Sequence, residues 1–420
     1  MNSQAKSETP WKVEGKWSVS PYCFEQEVRK GWQLPKQITI HDVTLRDGEQ
    51  TPGVVFRKDE KLEIAHALEE AGVQRIEGGM ASVSEEDFEA IKSMVKEIKD
   101  SEIASFCRAR RDDVELALKA GVSRVILEIT ALDPIIENIW GSREKAVENI
   151  TRITQYAKAN GLQVTFFLME SARASLDLIR DLIVPVVEEG KADNVAIVDT
   201  RGSAYPPGFA WLVTQVRKMV KVPIEVHCHN VWGVATATTL AGITAGAEVV
   251  HTCINGIGGN APLEEIIMGA EAFLGVKTGV KTEGFRQISA MLKKFSNVDW
   301  YKPFVGSLNE QVEVGIATRQ MWDRRHEKGY GRAELLNYEI VGGKPIEVVL
   351  GKKSGRYSIM LKAWEASLPL PSEEQASAML TRIKKISEEY KRWLTDEEFR
   401  KIYSEVMGKK KENLLERMGL

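Results

Sequence analysis

Between Ile38 and Thr252 the chain repeats one unit: a short β-branched run, a loop, and an amphipathic segment closed by glycine. The runs are Ile38 to Asp42, Arg75 to Glu77, Glu102 to Phe106, Arg124 to Ile129, Gln163 to Leu168, Asn194 to Asp199, Pro223 to His227 and Glu248 to Thr252. Gly72, Gly121, Gly161, Gly190 and Gly246 stand ahead of five of them, where a helix C-terminus calls for a residue that turns left-handed. Asp59 to Glu70 places apolar residues three and four apart, the spacing of a helix with one buried face. Strands separated by helices pair in parallel, and eight such units have the count and length of a closed (β/α)8 TIM barrel. An open doubly wound sheet is the alternative. The loop after the first run lacks the G-x-G-x-x-G of that fold's dinucleotide binders.

The expected domains are an aromatic N-terminal extension (1–36), the catalytic barrel (37–290), a small α+β post-barrel subdomain (291–365) and a C-terminal helical segment (366–420). Trp11, Trp17, Tyr22, Phe24 and Trp32 make the extension too aromatic for a disordered tail, so it packs on the body or on a second subunit. Helical spacing returns over Glu373 to Glu389 and Thr395 to Met407.

A net charge of −3 gives no reason to expect a nucleic-acid partner. The polar start has no signal-peptide core, and no run is apolar enough to span a bilayer, so a cytoplasmic protein without a membrane partner is expected. Cys23, Cys107, Cys228 and Cys253 form no C-x-x-C pair and read as reduced thiols. Cys228 has the opposite strand parity to its neighbours His227 and His229 and should pack outward against a helix.

In such a barrel chemistry collects where strands end and the next loops begin. Those positions hold Arg46 and Asp47, Glu77, Arg108, Glu170 with Arg173, Asp199-Thr200, His229-Asn230 and the loop Asn255 to Asn260. His227 and His229 lie on one strand face, about 7 Å apart along the backbone. They can grip one divalent metal, Mg, Mn, Zn, Fe or Co, with Asp47 as the best carboxylate and Asn260 as a carbonyl donor. Four protein ligands leave two adjacent octahedral positions, enough for a 2-oxo acid to chelate through its ketone and one carboxylate oxygen. Arg46 is then placed to stabilise an alkoxide.

Thr44-Leu-Arg-Asp-Gly-Glu-Gln-Thr-Pro-Gly53 resembles the signature of the metal-dependent barrel enzymes that include homocitrate synthase, 2-isopropylmalate synthase, citramalate synthase and hydroxymethylglutaryl-CoA lyase. Leu350-Gly-Lys-Lys-Ser-Gly-Arg356 resembles a segment that the synthases carry beyond the barrel and the lyases generally lack. The resemblance implies Asp47, His227, His229 and Asn260 as metal ligands and Arg46 as the catalytic electrophile. It implies Gln50, Arg108, Arg173 and Thr200 as contacts to the oxo acid, and Glu77 and Glu170 as acids near the reacting carbon. The implied reaction condenses an acyl-CoA, most simply acetyl-CoA, with a 2-oxo acid in a homodimer. Carbon–carbon cleavage of a 3-hydroxyacyl thioester and a catalytically silent metabolite-binding relative are the alternatives.

Three departures from the family pattern stand out. Val231-Trp232 follows Asn230 where the family carries a carboxylate, and the Asn255–Ala261 loop is about three residues short. Glu313-Val-Gly-Ile-Ala317 has alanine where the synthases have a histidine implicated in proton transfer. His326 is the post-barrel histidine available to replace it, and Tyr330 is a second candidate. The remaining tail leaves no room for a regulatory module.

Overall fold

The computed structural model describes residues 10–13, 17–297, 310–326 and 345–417. They form two compact units: 1–46 with 61–289, and 47–60 with 290–420.

In the first unit eight parallel strands close into a barrel in sequence order. They are β1 (Thr39–Asp42), β2 (Arg75–Glu77), β3 (Glu102–Arg108), β4 (Arg124–Thr130), β5 (Gln163–Met169), β6 (Asn194–Asp199), β7 (Ile224–Cys228) and β8 (Val249–Thr252). β8 returns to β1 with His251 opposite His41, which closes the ring. Each β-branched run has thus become a strand within about a residue of its expected bounds. Helices such as Glu85–Glu97, Arg111–Ala120 and Leu176–Glu188 intervene. Ser84 and Ser175 cap two of them by accepting a backbone N–H, as orphan donors at a helix start require. At the end of Leu176–Glu188 the expected left-handed glycine is not found. Lys191, not Gly190, takes positive φ; Gly190 is required for a different reason, since a β-carbon there would strike the Val186 carbonyl.

Two walls line the barrel. Ala104 and Phe106 from β3, Ile126 from β4, Phe167 from β5 and Ala196 and Val198 from β6 form a buried apolar cluster. From β7, β8, β1 and β2 come Glu225, His227, His251, His41, Arg75 and Glu77, all buried and all polar. Cys228, on the opposite parity, is buried near Thr239 of the following helix, so it packs outward as expected. The N-terminal extension packs on its own chain: Gln33 N–H donates to the Thr244 carbonyl at 2.7 Å, and Arg29 Nη2 to the Phe273 carbonyl at 2.9 Å.

The second unit joins the stretch after β1 to the post-barrel chain. Buried Glu49 accepts from Lys352 Nζ at 3.1 Å through one oxygen, and its other oxygen is ion-paired with Lys353 Nζ at 2.7 Å. Gly53 N–H and Lys353 N–H both donate to the Glu313 carboxylate, at 3.3 and 2.8 Å. Gly53 has φ +82°, and a β-carbon there would collide with the Trp393 ring. A core of Val348, Leu350, Ile359, Leu361, Met379, Ile383, Phe399 and Ile402 holds the C-terminal helices together. No helix among the described residues is long and apolar enough to cross a membrane.

Candidate active site

His227 is the last residue but one of β7, and His229 follows the strand with its N–H donating to the Asp199 carbonyl at 3.1 Å. The turn after β6 passes close under this point. Gly202 has φ +55°, and a β-carbon there would meet the His229 carbonyl, so only glycine leaves His229 where it is. The two imidazoles converge, Nε2 to Nε2 at 3.0 Å. Asp47, bonded to Arg46, completes a group in which a carboxylate oxygen and one nitrogen of each ring lie within 4.8 Å of one another. Two ring nitrogens and a carboxylate aimed at one point are a donor set that suits a borderline divalent ion. Asn260 is buried and its backbone bridges that of His229, which brings the shortened last loop against β7.

Arg46 lies under this group, 4.2 Å above the Phe106 ring, and its Nε donates to Glu77 Oε1. Burial alone would raise the Glu77 carboxyl, but the Arg46 guanidinium and His41 outweigh it and hold it at about 2. Glu77 is therefore anionic and committed to Arg46, which fixes the cation with its face on an aromatic ring.

On the β5 and β6 side, Glu170 is buried with positive φ (+64°). Its N–H donates to Thr200 Oγ1 at 2.7 Å, Arg201 Nε donates to its Oε1 at 3.0 Å, and Arg173 Nη1 stands 3.4 Å from its Oε2. Glu170, Arg173 and Thr200 thus form one cluster, which Arg201 joins. Arg108 is held away from such a role by a bidentate pair with Asp113, at 2.9 and 2.8 Å. Gln50 lies in the second unit, half-buried in the turn Gly48–Gln50. His326 is exposed, its ring edge-on to Trp364 at 5.9 Å, and Tyr330 falls outside the described residues. Trp232 is 43% exposed.

Two features were not picked out from sequence. Glu128 is buried on β4; burial raises its carboxyl to about 7, with Arg46 and Arg108 only partly offsetting the effect. Its signal was a lone acid in the apolar run Val125-Ile-Leu-Glu-Ile129. The other is a polar network behind His227. His227 Nδ1 faces His251 Nδ1 at 3.2 Å, and His251 Nε2 reaches Glu225 Oε2 at 2.7 Å. Arg75 Nη1 and Thr165 Oγ1 bind the other Glu225 oxygen at 2.8 and 2.9 Å.

Comparison with known proteins agrees with this arrangement. A protein of Archaeoglobus fulgidus carrying an (R)-citramalate synthase name is 38% identical over 383 residues, covering 90% of this chain and 76% of that one. The homocitrate synthase of Methanopyrus kandleri is 35% identical over 400 residues, 92% of this chain and 96% of its own. The 2-isopropylmalate synthase of Methanocaldococcus jannaschii is 34% identical over 411 residues, 94% and 78% respectively. Among solved structures, the HMG-CoA lyase of Bacillus subtilis shares the barrel fold, with TM-score 0.58 at 20% identity over 64% of this chain and 96% of that one. The HMGL-like family model matches residues 37–292. The chain belongs to the HMGL-like family.

Proposed function

We propose that this protein condenses the acetyl group of acetyl-CoA with a 2-oxo acid, as an acyltransferase of amino-acid biosynthesis that depends on a divalent metal. The observation that carries the reading is the convergence of His227, His229 and Asp47 beside an Arg46 held by a buried, ionised Glu77. The three named synthases support it, since they match 90 to 94% of this chain, whereas the lyase structure covers 64% of it.

Asp47, His227 and His229 would hold the metal, with Asn260 as the fourth donor. Bound there, the metal would supply Lewis-acid polarisation of the substrate ketone. In the reaction the acetyl-CoA methyl loses a proton and its carbon bonds to the ketone carbon. The pair left on the methyl carbon forms this bond, the carbonyl π pair moves onto the ketone oxygen, which then takes a proton, and water cleaves the thioester to give CoA and the free carboxylic acid. Arg46 stabilises the negative charge that develops on the ketone oxygen. Glu77 holds Arg46 in place; at about 2 its carboxylate is too weak a base to take the methyl proton. Glu170 orders Arg173 and Arg201, two cations suited to the carboxylate of an oxo acid, with Gln50 and Thr200 as further contacts. Arg108 contributes only if Asp113 releases it. His326 stands exposed and enters no step of this scheme; the homodimer implied by the resemblance belongs to the same reading.

The test is CoA release from acetyl-CoA across a panel of 2-oxo acids, with and without a chelator. Release with at least one oxo acid, lost on chelation and restored by metal, is expected. No release with any oxo acid, alongside cleavage of hydroxymethylglutaryl-CoA, would replace the reading with lyase chemistry.

A further inference from the structure

We propose that His251, backed by Glu225, is a positioning residue that fixes the tautomer and orientation of His227 and so presents His227 Nε2 to the metal. The inference rests on the metal-site reading above. A neutral imidazole carries one N–H and one lone pair, so a chain of rings has a proton order that can be counted. Glu225 Oε2 acts as an acceptor only, because the carboxylate is ion-paired through its other oxygen, to which Arg75 Nη1 and Thr165 Oγ1 donate at 2.8 and 2.9 Å. The 2.7 Å contact then requires the hydrogen of His251 on Nε2. That leaves His251 Nδ1 as a lone pair, and the 3.2 Å contact requires His227 to carry its hydrogen on Nδ1. His227 Nε2 is left unprotonated, and this is the nitrogen that faces His229 Nε2 at 3.0 Å.

His41 fits the same order. Its Nε2 lies 3.3 Å from Glu77 Oε2 without a formed hydrogen bond, and its Nδ1 lone pair shares the His251 Nε2 hydrogen at 3.2 Å. Arg75 and Thr165 anchor the far oxygen of Glu225, so the chain ends on a fixed group. A metal-bound histidine commonly donates its second N–H to a carboxylate, which orients the ring and strengthens it as a ligand. Here one more imidazole stands between the two. His41 Nδ1, His251 Nε2 and Glu225 Oε2 also converge closely enough to cradle an ion of their own. Because the contacts of Glu225, His251 and His227 place the hydrogens of the last two rings without one, the relay is the better assignment.

Three measurements test it. Cobalt or zinc affinity, read by competition with a chelating dye, should fall about 10–100-fold in His251→Leu. In His251→Glu, where a carboxylate can accept directly from His227 Nδ1, most of that loss should be recovered. Affinity within twofold of wild type in a folded His251→Leu protein would reduce His251 to a packing role and overturn the proposal. If that variant does not fold, nitrogen NMR of the wild-type histidines decides: hydrogen on Nδ1 of His227 and on Nε2 of His251 supports the relay, and the reverse order sinks it. Two bound metal equivalents per wild-type chain, one of them lost in His41→Gln, would assign the cluster to an ion instead. His229→Ala keeps the two readings apart. Metal retained there refutes the metal site itself, whereas metal lost there but unaffected in His251→Leu refutes only the relay.

Discussion

The two walls of the barrel interior solve the same packing problem with opposite chemistry. On the β3–β6 wall Phe106 and Phe167 meet edge to face, 5.5 Å apart, among Ala104, Ile126, Ala196 and Val198. That wall is stabilised by removing apolar area from water. The β7–β8–β1–β2 wall buries Glu225, His251, His41, Arg75 and Glu77, groups that cost free energy unless every one is paired. The difference teaches where precision resides. An apolar wall tolerates substitutes of similar volume, while the polar wall holds each ring at one angle and in one protonation order, next to the metal ligands.

The comparison breaks most readily at Glu225. Glu225→Leu leaves Arg75 buried beside its remaining partner Glu102 and should cost about 3–5 kcal/mol in denaturant unfolding. Arg75→Met added to it should recover much of that loss, since an apolar pair replaces an ion pair. Phe167→Ala on the other wall should cost a similar roughly 3–5 kcal/mol, with no second substitution of that kind to rescue it. If the Arg75→Met/Glu225→Leu protein is no more stable than the single variant, the polar wall is not held by that pair.

Arg46 touches both walls, stacked on Phe106 and paired with Glu77. Arg46→Ala should lower kcat by about 10²–10³-fold while leaving metal content unchanged, which places the loss in alkoxide stabilisation. A fall in metal content of the same size would move Arg46 into the metal-binding set.

Glu128 sharpens the comparison through pH. Its folded value of about 7 lies above its ordinary 4.5, so between these limits the folded chain holds a proton that the unfolded chain releases. Its contribution to stability is complete at acid pH and is lost as pH rises through 7. Glu128→Gln should remove that loss, narrowing the stability gap from wild type by up to about 1.4 kcal/mol per pH unit across this window. Asp42 and Glu313, also raised to about 7, remain in both proteins and cancel. A pH-independent gap would show that Glu128 is ionised in the fold. The smallest effect is expected at exposed His326, where alanine should change stability by less than about 0.5 kcal/mol. A clear drop in turnover from that substitution would restore the proton-donor role that the synthase resemblance suggested.

The strands were legible because their β-branched runs are local and punctuated, and the rim followed once strand ends were known. Strand parity aimed His227 and His229 together, and Arg46 and Glu77 were found as strand-end charges. The polar wall was not legible. Its pairs are set by register between distant strands: Arg75 and Glu225 are 150 residues apart. The stretch up to Gly53 reads as a barrel loop, and nothing local reveals that its Glu49 is bound by a lysine 303 residues later.

That last separation has a consequence for synthesis. Emerging at about 5–20 residues per second, the chain exposes Glu49 roughly 15–60 s before Lys352 exists to neutralise it. His41 waits through a further gap of 210 residues for His251, its neighbour across the closing pair of strands. A nascent chain stalled between the closing strand Val249–Thr252 and residue 352 therefore holds every strand of the barrel while its signature turn still lacks its counter-charges. Such a chain is a client for holding chaperones, however stable the finished molecule becomes.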